Sequence, residues 1–148
     1  MEKSLALVVK VGTSTLTHDN GSLNLRKVSE LVRVLADLKN MGAKVVLVTS
    51  GAVGVGTSRL RLPCRPKELP EKQAAAAVGQ SELMNIYSRL FSEYGHTVAQ
   101  ILLTLDVIED EVMRRNAENT FARLLELGVV PIVNENDTIS TYEIERMT

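Results

Sequence analysis

The chain has 148 residues, within the roughly 100–200 of one domain, and its 45% hydrophobic and 24% charged residues exclude a disordered or fibrous chain. Seventeen basic against eighteen acidic residues leave a net charge of -1, with no lysine or arginine block to hold a nucleic acid or an anionic membrane. The single cysteine, Cys64, cannot close an internal disulfide, and with only His18 and His96 beside it no zinc-binding spacing can be assembled, so no metal site is expected.

No signal-peptide pattern follows Met1, and no apolar run approaches the ~20 residues that span a bilayer, so a cytoplasmic protein is expected. Residues 5–11 (LALVVKV) form an almost unbroken apolar run, as in a parallel strand buried on both faces. After a polar turn at residues 18–21, apolar residues at Leu25, Val28, Leu31, Val32, Leu35, Leu38 and Met41 mark one face of a helix, capped by Asn24 and ended by Gly42. Residues 44–49 (KVVLVT) predict a second buried strand, followed by a glycine-rich loop through Gly56. Pro63, Pro66 and Pro70 predict an irregular excursion over residues 61–70, and residues 71–94 a long helix ended by Gly95. Residues 97–104 predict a third strand. Asp106 can cap a further helix with apolar positions at Val112, Phe121, Leu124, Leu125 and Leu127, closed by Gly128, and residues 129–133 predict a fourth strand. Strands and helices therefore alternate, which predicts an α/β fold, an αβα sandwich around a mainly parallel sheet.

Ligands of an open parallel sheet bind beyond the carboxyl ends of its strands, which directs attention to residues 12–14, 50–56, 104–106 and 134–137. These segments supply glycines and hydroxyls for phosphate beside amides and carboxylates for a small charged molecule, the combination a nucleotide-using enzyme needs. The alternative is that every strand-to-helix turn requires glycine and a cap. Residues 51–58 have the glycine spacing of a P-loop, but Thr57 stands where its lysine belongs, and the glycines do not satisfy GxGxxG. Lys10 ends a strand where an unpaired buried ammonium is costly, so it either faces the ligand crevice or extends its head into solvent. Gly79 inside a helix points to close packing against a neighbour, and His96 and Cys64 are read as structural.

VVKVGTS, VTSGAVGVG, KQAAAAVGQ and VVPIVNENDT occur in order at corresponding places, and together they resemble the amino acid kinase family over almost the whole chain. Two of its other branches resemble each other in a Gly-Gly pair after the first lysine, whereas Thr13 follows Gly12 here, which favours glutamate as substrate. The resemblance implies transfer of the ATP γ-phosphoryl group to the side-chain carboxylate of L-glutamate, a step towards proline, with Mg2+ carried by ATP and proline as a feedback inhibitor. Position by position, it implies that Lys10 is catalytic and contacts the nucleotide phosphates with Gly12, and that Ser50, Gly51, Asn134 and Asp137 bind the amino acid. It further implies that residues 1–148 form an amino acid kinase domain lacking its C-terminal, nucleotide-binding side, and that the protein is a homo-oligomer. A non-catalytic glutamate or proline sensor, or a kinase of the same fold acting on another carboxylate or carbamate, are the alternatives.

Overall fold

The computed structural model describes residues 5–135. In chain order the elements are β1 (Ala6–Val11), α1 (Thr13–Leu16), α2 (Leu25–Asn40), β2 (Lys44–Thr49), α3 (Ala52–Arg59), α4 (Leu69–Glu93), β3 (Val98–Leu103), α5 (Leu105–Glu109), α6 (Glu111–Glu126) and β4 (Val130–Glu135). The four strands pair in parallel in the order β1-β2-β4-β3. The chain therefore passes from β2 over the place of β4 to β3, then returns to fill the gap. Right-handed crossovers put α2 and α4 on one face and α5 and α6 on the other.

Register decides which side chains meet. Val9 pairs with Leu47, and Leu47 with Ile132, so these residues share one face of the sheet. On that face they join Val28, Val32 and Leu35 of α2 and Leu83, Tyr87 and Phe91 of α4 in a single hydrophobic core. The opposite face is covered unevenly. α6 lies against β4, whereas Val8 on the edge strand β1 is 71% exposed. The expectation that β1 is buried on both faces is thus corrected: its alternate residues Ala6, Val8 and Lys10 are open, because among the described residues no helix crosses that part of the sheet.

Local signals set most boundaries. The Asn24 side chain accepts from the Lys27 amide at 3.2 Å, as its capping position requires. Pro70 stands in the first turn of α4, where its missing N–H costs nothing, so that helix begins two residues before the expected start. Two differences are larger. The helix expected after Asp106 is two helices broken at Asp110, whose carboxylate accepts from the Met113 amide at 2.8 Å and caps α6. Of the apolar positions expected to bury α6, Val112 and Leu127 are exposed, and no residue of that helix is fully buried.

The second difference is α3, which replaces the glycine-rich loop expected through Gly56. Its glycines are explained by packing: a Cβ on Gly56 would overlap the Ala75 carbonyl, and one on Gly79 the Ala52 carbonyl. The two helix backbones thus touch directly at small residues, and tertiary contact overrides a poor helix propensity. The close packing expected at Gly79 is present. Cys64 is exposed, and His96 lies at the far end of the molecule from the strand carboxyl termini. Burial and the neighbouring Lys39 lower its pKa, while a hydrogen bond to the Ala36 backbone acts the other way.

Tyr87 ties α4 to the end of β2 through a buried hydrogen bond of 3.1 Å between its hydroxyl and Thr49 Oγ1. Burial pushes the Tyr87 phenol above its ordinary value, partly offset by the Thr49 hydrogen bond. Because the folded-state pKa exceeds the unfolded one, this contribution is complete below pH ~10 and is lost as pH rises through the folded value. Tyr87→Phe should lower stability by about 1 kcal/mol at neutral pH. Urea unfolding at pH 8 and above pH 10 would check both points: the alkaline decline should be shallower in the variant than in the unaltered chain.

Candidate active site

Three of the expected site residues arrive at one place because their strands are parallel and end together. Lys10 on β1, Ser50 after β2 and Asn134 on β4 line a cavity of about 320 Å³ at the carboxyl edge of the sheet. Leu103, Thr104 and Ile108 close its far side. The location follows from topology, since the connection after β2 leaves towards one face and that after β3 towards the other, opening a crevice across β4. Lys10 lines this cavity, is exposed, and carries the only charge among the described lining residues.

The loops after β1 and β2 are bonded to each other. Ser50 Oγ donates to the Val11 carbonyl at 3.3 Å and lies 3.3 Å from Thr13 Oγ1. A serine hydroxyl has one proton, so Thr13 is the donor in the second contact. Thr13 stands in the segment 12–14 that the sequence marks as a ligand edge, but its tie to Ser50 cannot be read from spacing. Gly51 follows Ser50 with φ of 99°, a left-handed conformation suited to glycine, and it caps α3. A Cβ on Gly51 would lie 3.6 Å from the Thr13 side chain. Gly12, at the start of α1, is exposed and leaves open space where a Cβ would be. Neither glycine lines the cavity itself; both sit in the turns that frame it. The glycine-rich segment therefore offers an anion only the Ser50–Gly51 turn and the first amides of α3, not a long flexible cradle.

On the other side of the cavity Asn134 is 5% exposed, and its Nδ2 donates to Gln80 Oε1 of α4 at 2.7 Å. Asp137 lies outside the described residues. Among the described residues no group of three His, Cys, Asp or Glu side chains could hold a metal ion. The assembled groups are one ammonium, several hydroxyls and an amide on an otherwise apolar wall. Such a set can neutralise and orient an anion with hydrogen-bonding oxygens, and among the described lining residues there is no carboxylate or imidazole.

The mainly parallel sheet with helices defines an α/β fold, and the sequence model of the amino acid kinase family matches residues 6–147; the chain belongs to that family. Among curated proteins it is similar to glutamate 5-kinase of Clostridium perfringens, 57% identical over 99% of this chain and 55% of that protein. The Listeria innocua glutamate 5-kinase is 55% identical over 100% of this chain and 54% of that protein, and the Enterococcus faecalis one 49% identical over 100% and 55%. The chain thus spans about half the length of the curated relatives it matches. Among solved structures it is similar to UMP kinase from Ureaplasma parvum, with TM-score 0.58 and 11% identity over 88% of this chain and 56% of that one. The T. acidophilum isopentenyl phosphate kinase gives TM-score 0.55 and 15% identity over 88% and 54%. At those identities the two structures speak for the fold, which agrees with the expected α/β sandwich. No described helix is long and apolar enough to cross a membrane.

Proposed function

We propose that this chain carries the amino-acid-binding part of a kinase that phosphorylates the side-chain carboxylate of L-glutamate with ATP, giving glutamyl 5-phosphate for proline biosynthesis. The observation that carries the reading is the meeting of Lys10, Ser50 and Asn134, from three separate strands, in one cavity. The names of the relatives at 49–57% identity support the choice of glutamate. In the reaction a carboxylate oxygen attacks the γ-phosphorus, the bond to the β–γ bridging oxygen breaks, and ADP departs with that electron pair. The attacking carboxylate is already ionised at neutral pH, so no general base is required. Lys10 offsets the negative charge that gathers on the transferring group, and the amides of the Gly12 and Ser50–Gly51 turns hold phosphate oxygens. Ser50, Gly51, Asn134 and Asp137 hold the amino acid. The described cavity wall has no carboxylate, so Mg2+ does not fit a protein-held site there and would arrive on the ATP phosphates.

Calorimetric titration with glutamate, aspartate and N-acetylglutamate, followed by hydroxylamine trapping of any acyl phosphate, tests the proposal. Glutamate should bind in preference to the other two, and ATP with glutamate should yield the hydroxamate in the protein that has the complete nucleotide site. Preference for another carboxylate overturns the substrate. Binding of glutamate without hydroxamate in that complete protein would instead make the site a sensor.

A further inference from the structure

The motif KQAAAAVGQ ends in Gln80, a residue to which the proposed reaction gives no part. Gln80 lies on α4, next to Gly79, where the α4 backbone is pressed against Ala52 and Gly56 of α3. α3 in turn begins at Gly51, directly after Ser50. Gln80 is therefore mounted on the same rigid helix pair that places the β2 turn. From there it reaches across 54 residues of sequence to accept from Asn134 Nδ2 at 2.7 Å, a short hydrogen bond between two side chains beside the cavity.

The other half of the Gln80 amide is the informative one. Its Nε2 is buried and has no hydrogen-bond partner among the described residues. A buried amide donor left unpaired is destabilising, by about as much as a satisfied hydrogen bond stabilises, or more. An apolar side chain of the same length would remove that cost, but it would also take away the acceptor of the buried Asn134 Nδ2. The one bond that Gln80 makes thus goes to a residue that lines the cavity, which ties its half-satisfied amide to the orientation of Asn134.

We infer that Gln80 is a positioning residue: its side-chain carbonyl fixes the amide plane of Asn134, and so the direction in which Asn134 meets the amino acid in the cavity. The inference rests on the reading of Asn134 as a contact to glutamate. It specifies chemistry, because what matters at position 80 is an acceptor at the end of a glutamine-length side chain. Its donor is dispensable.

A double-mutant cycle separates positioning from packing. Gln80→Met keeps length and volume and removes the acceptor; Asn134→Ala removes the group that the acceptor orients. Glutamate affinity should fall about five- to tenfold in Gln80→Met, the loss of one oriented hydrogen bond, while ATP affinity is unchanged. In the Asn134→Ala background, Gln80→Met should change glutamate affinity by less than about twofold, which a merely structural role would not produce. Unchanged glutamate affinity in Gln80→Met overturns the inference, as does an equal loss from Gln80→Met in the Asn134→Ala background or a parallel loss of ATP affinity. Absence of glutamate binding in the unaltered protein would instead overturn the functional reading, and this inference with it.

Discussion

Gly79→Ala should lower the stability of the chain by about 3 kcal/mol or more. An added Cβ would overlap the Ala52 carbonyl oxygen and lie 2.6 Å from its carbon and 2.7 Å from the Gly56 nitrogen. All three are backbone atoms of α3, so no side chain can rotate away, and the two helices must separate. Overpacking of an interior costs about 1–3 kcal/mol even when side chains can adjust, and backbone opposition places this case at or above the upper end. The gain from better helix propensity, about 1 kcal/mol, does not cancel it. Against a total stability of roughly 5–15 kcal/mol the loss is large. Gly54→Ala in α3 is the control. There a Cβ would meet only the Gly21 carbonyl at 3.9 Å and a Thr13 methyl at 4.0 Å, so the substitution should be neutral or stabilise by up to about 1 kcal/mol. Urea midpoints of the two variants should lie on opposite sides of, or one far below, the unaltered value. A stable Gly79→Ala protein would show that α3 and α4 are not in backbone contact.

That contact also marks the limit of what the sequence conveys. The four strands and the amphipathic helix α2 are legible because each is specified locally: six residues of Lys44–Thr49 agree with the expected strand, and Asn24 caps α2 as its position suggests. The helix α3 is not legible, since AVGVGTSR has a poor propensity and exists as a helix only because Gly56 and Gly79 let α4 approach it. The insertion of β4 between β2 and β3 depends on which strands find each other over long separations, and no local pattern encodes that order. The open face of β1 has the same origin, because continuous apolar sequence does not say whether a helix will cover both sides. At the site, Lys10, Ser50 and Asn134 could be placed by the rule that ligands sit beyond strand ends. The ties of Thr13 to Ser50 and of Gln80 to Asn134 escaped because such side-chain pairs are set by packing rather than by spacing.

Lys10→Met is expected to have the largest effect on chemistry. The ammonium is on β1, at the carboxyl edge of the sheet, in a cavity whose other described lining groups are neutral. On a largely apolar wall a single positive charge interacts strongly with a phosphoryl group, and most strongly when charge is being redistributed between the attacking carboxylate and the departing ADP. Glutamate in its ground state gains less from it, being held by Ser50, Asn134 and Asp137 in the proposed arrangement. Removing the charge while keeping the side chain's length should therefore lower kcat by about 10²–10³-fold, the scale seen when one preorganised electrostatic group is deleted. The KM for glutamate should move by no more than about threefold. Asp137→Ala should show the reverse pattern, with glutamate KM raised and kcat less affected, because a group paired with the substrate ammonium contributes equally before and during transfer. Hydroxamate formation over a range of glutamate and ATP concentrations, in the protein with the complete nucleotide site, separates the two constants. Retention of kcat in Lys10→Met would mean that the ammonium extends into solvent past the reacting phosphate, and that transferring charge is met by backbone amides of the two turns alone.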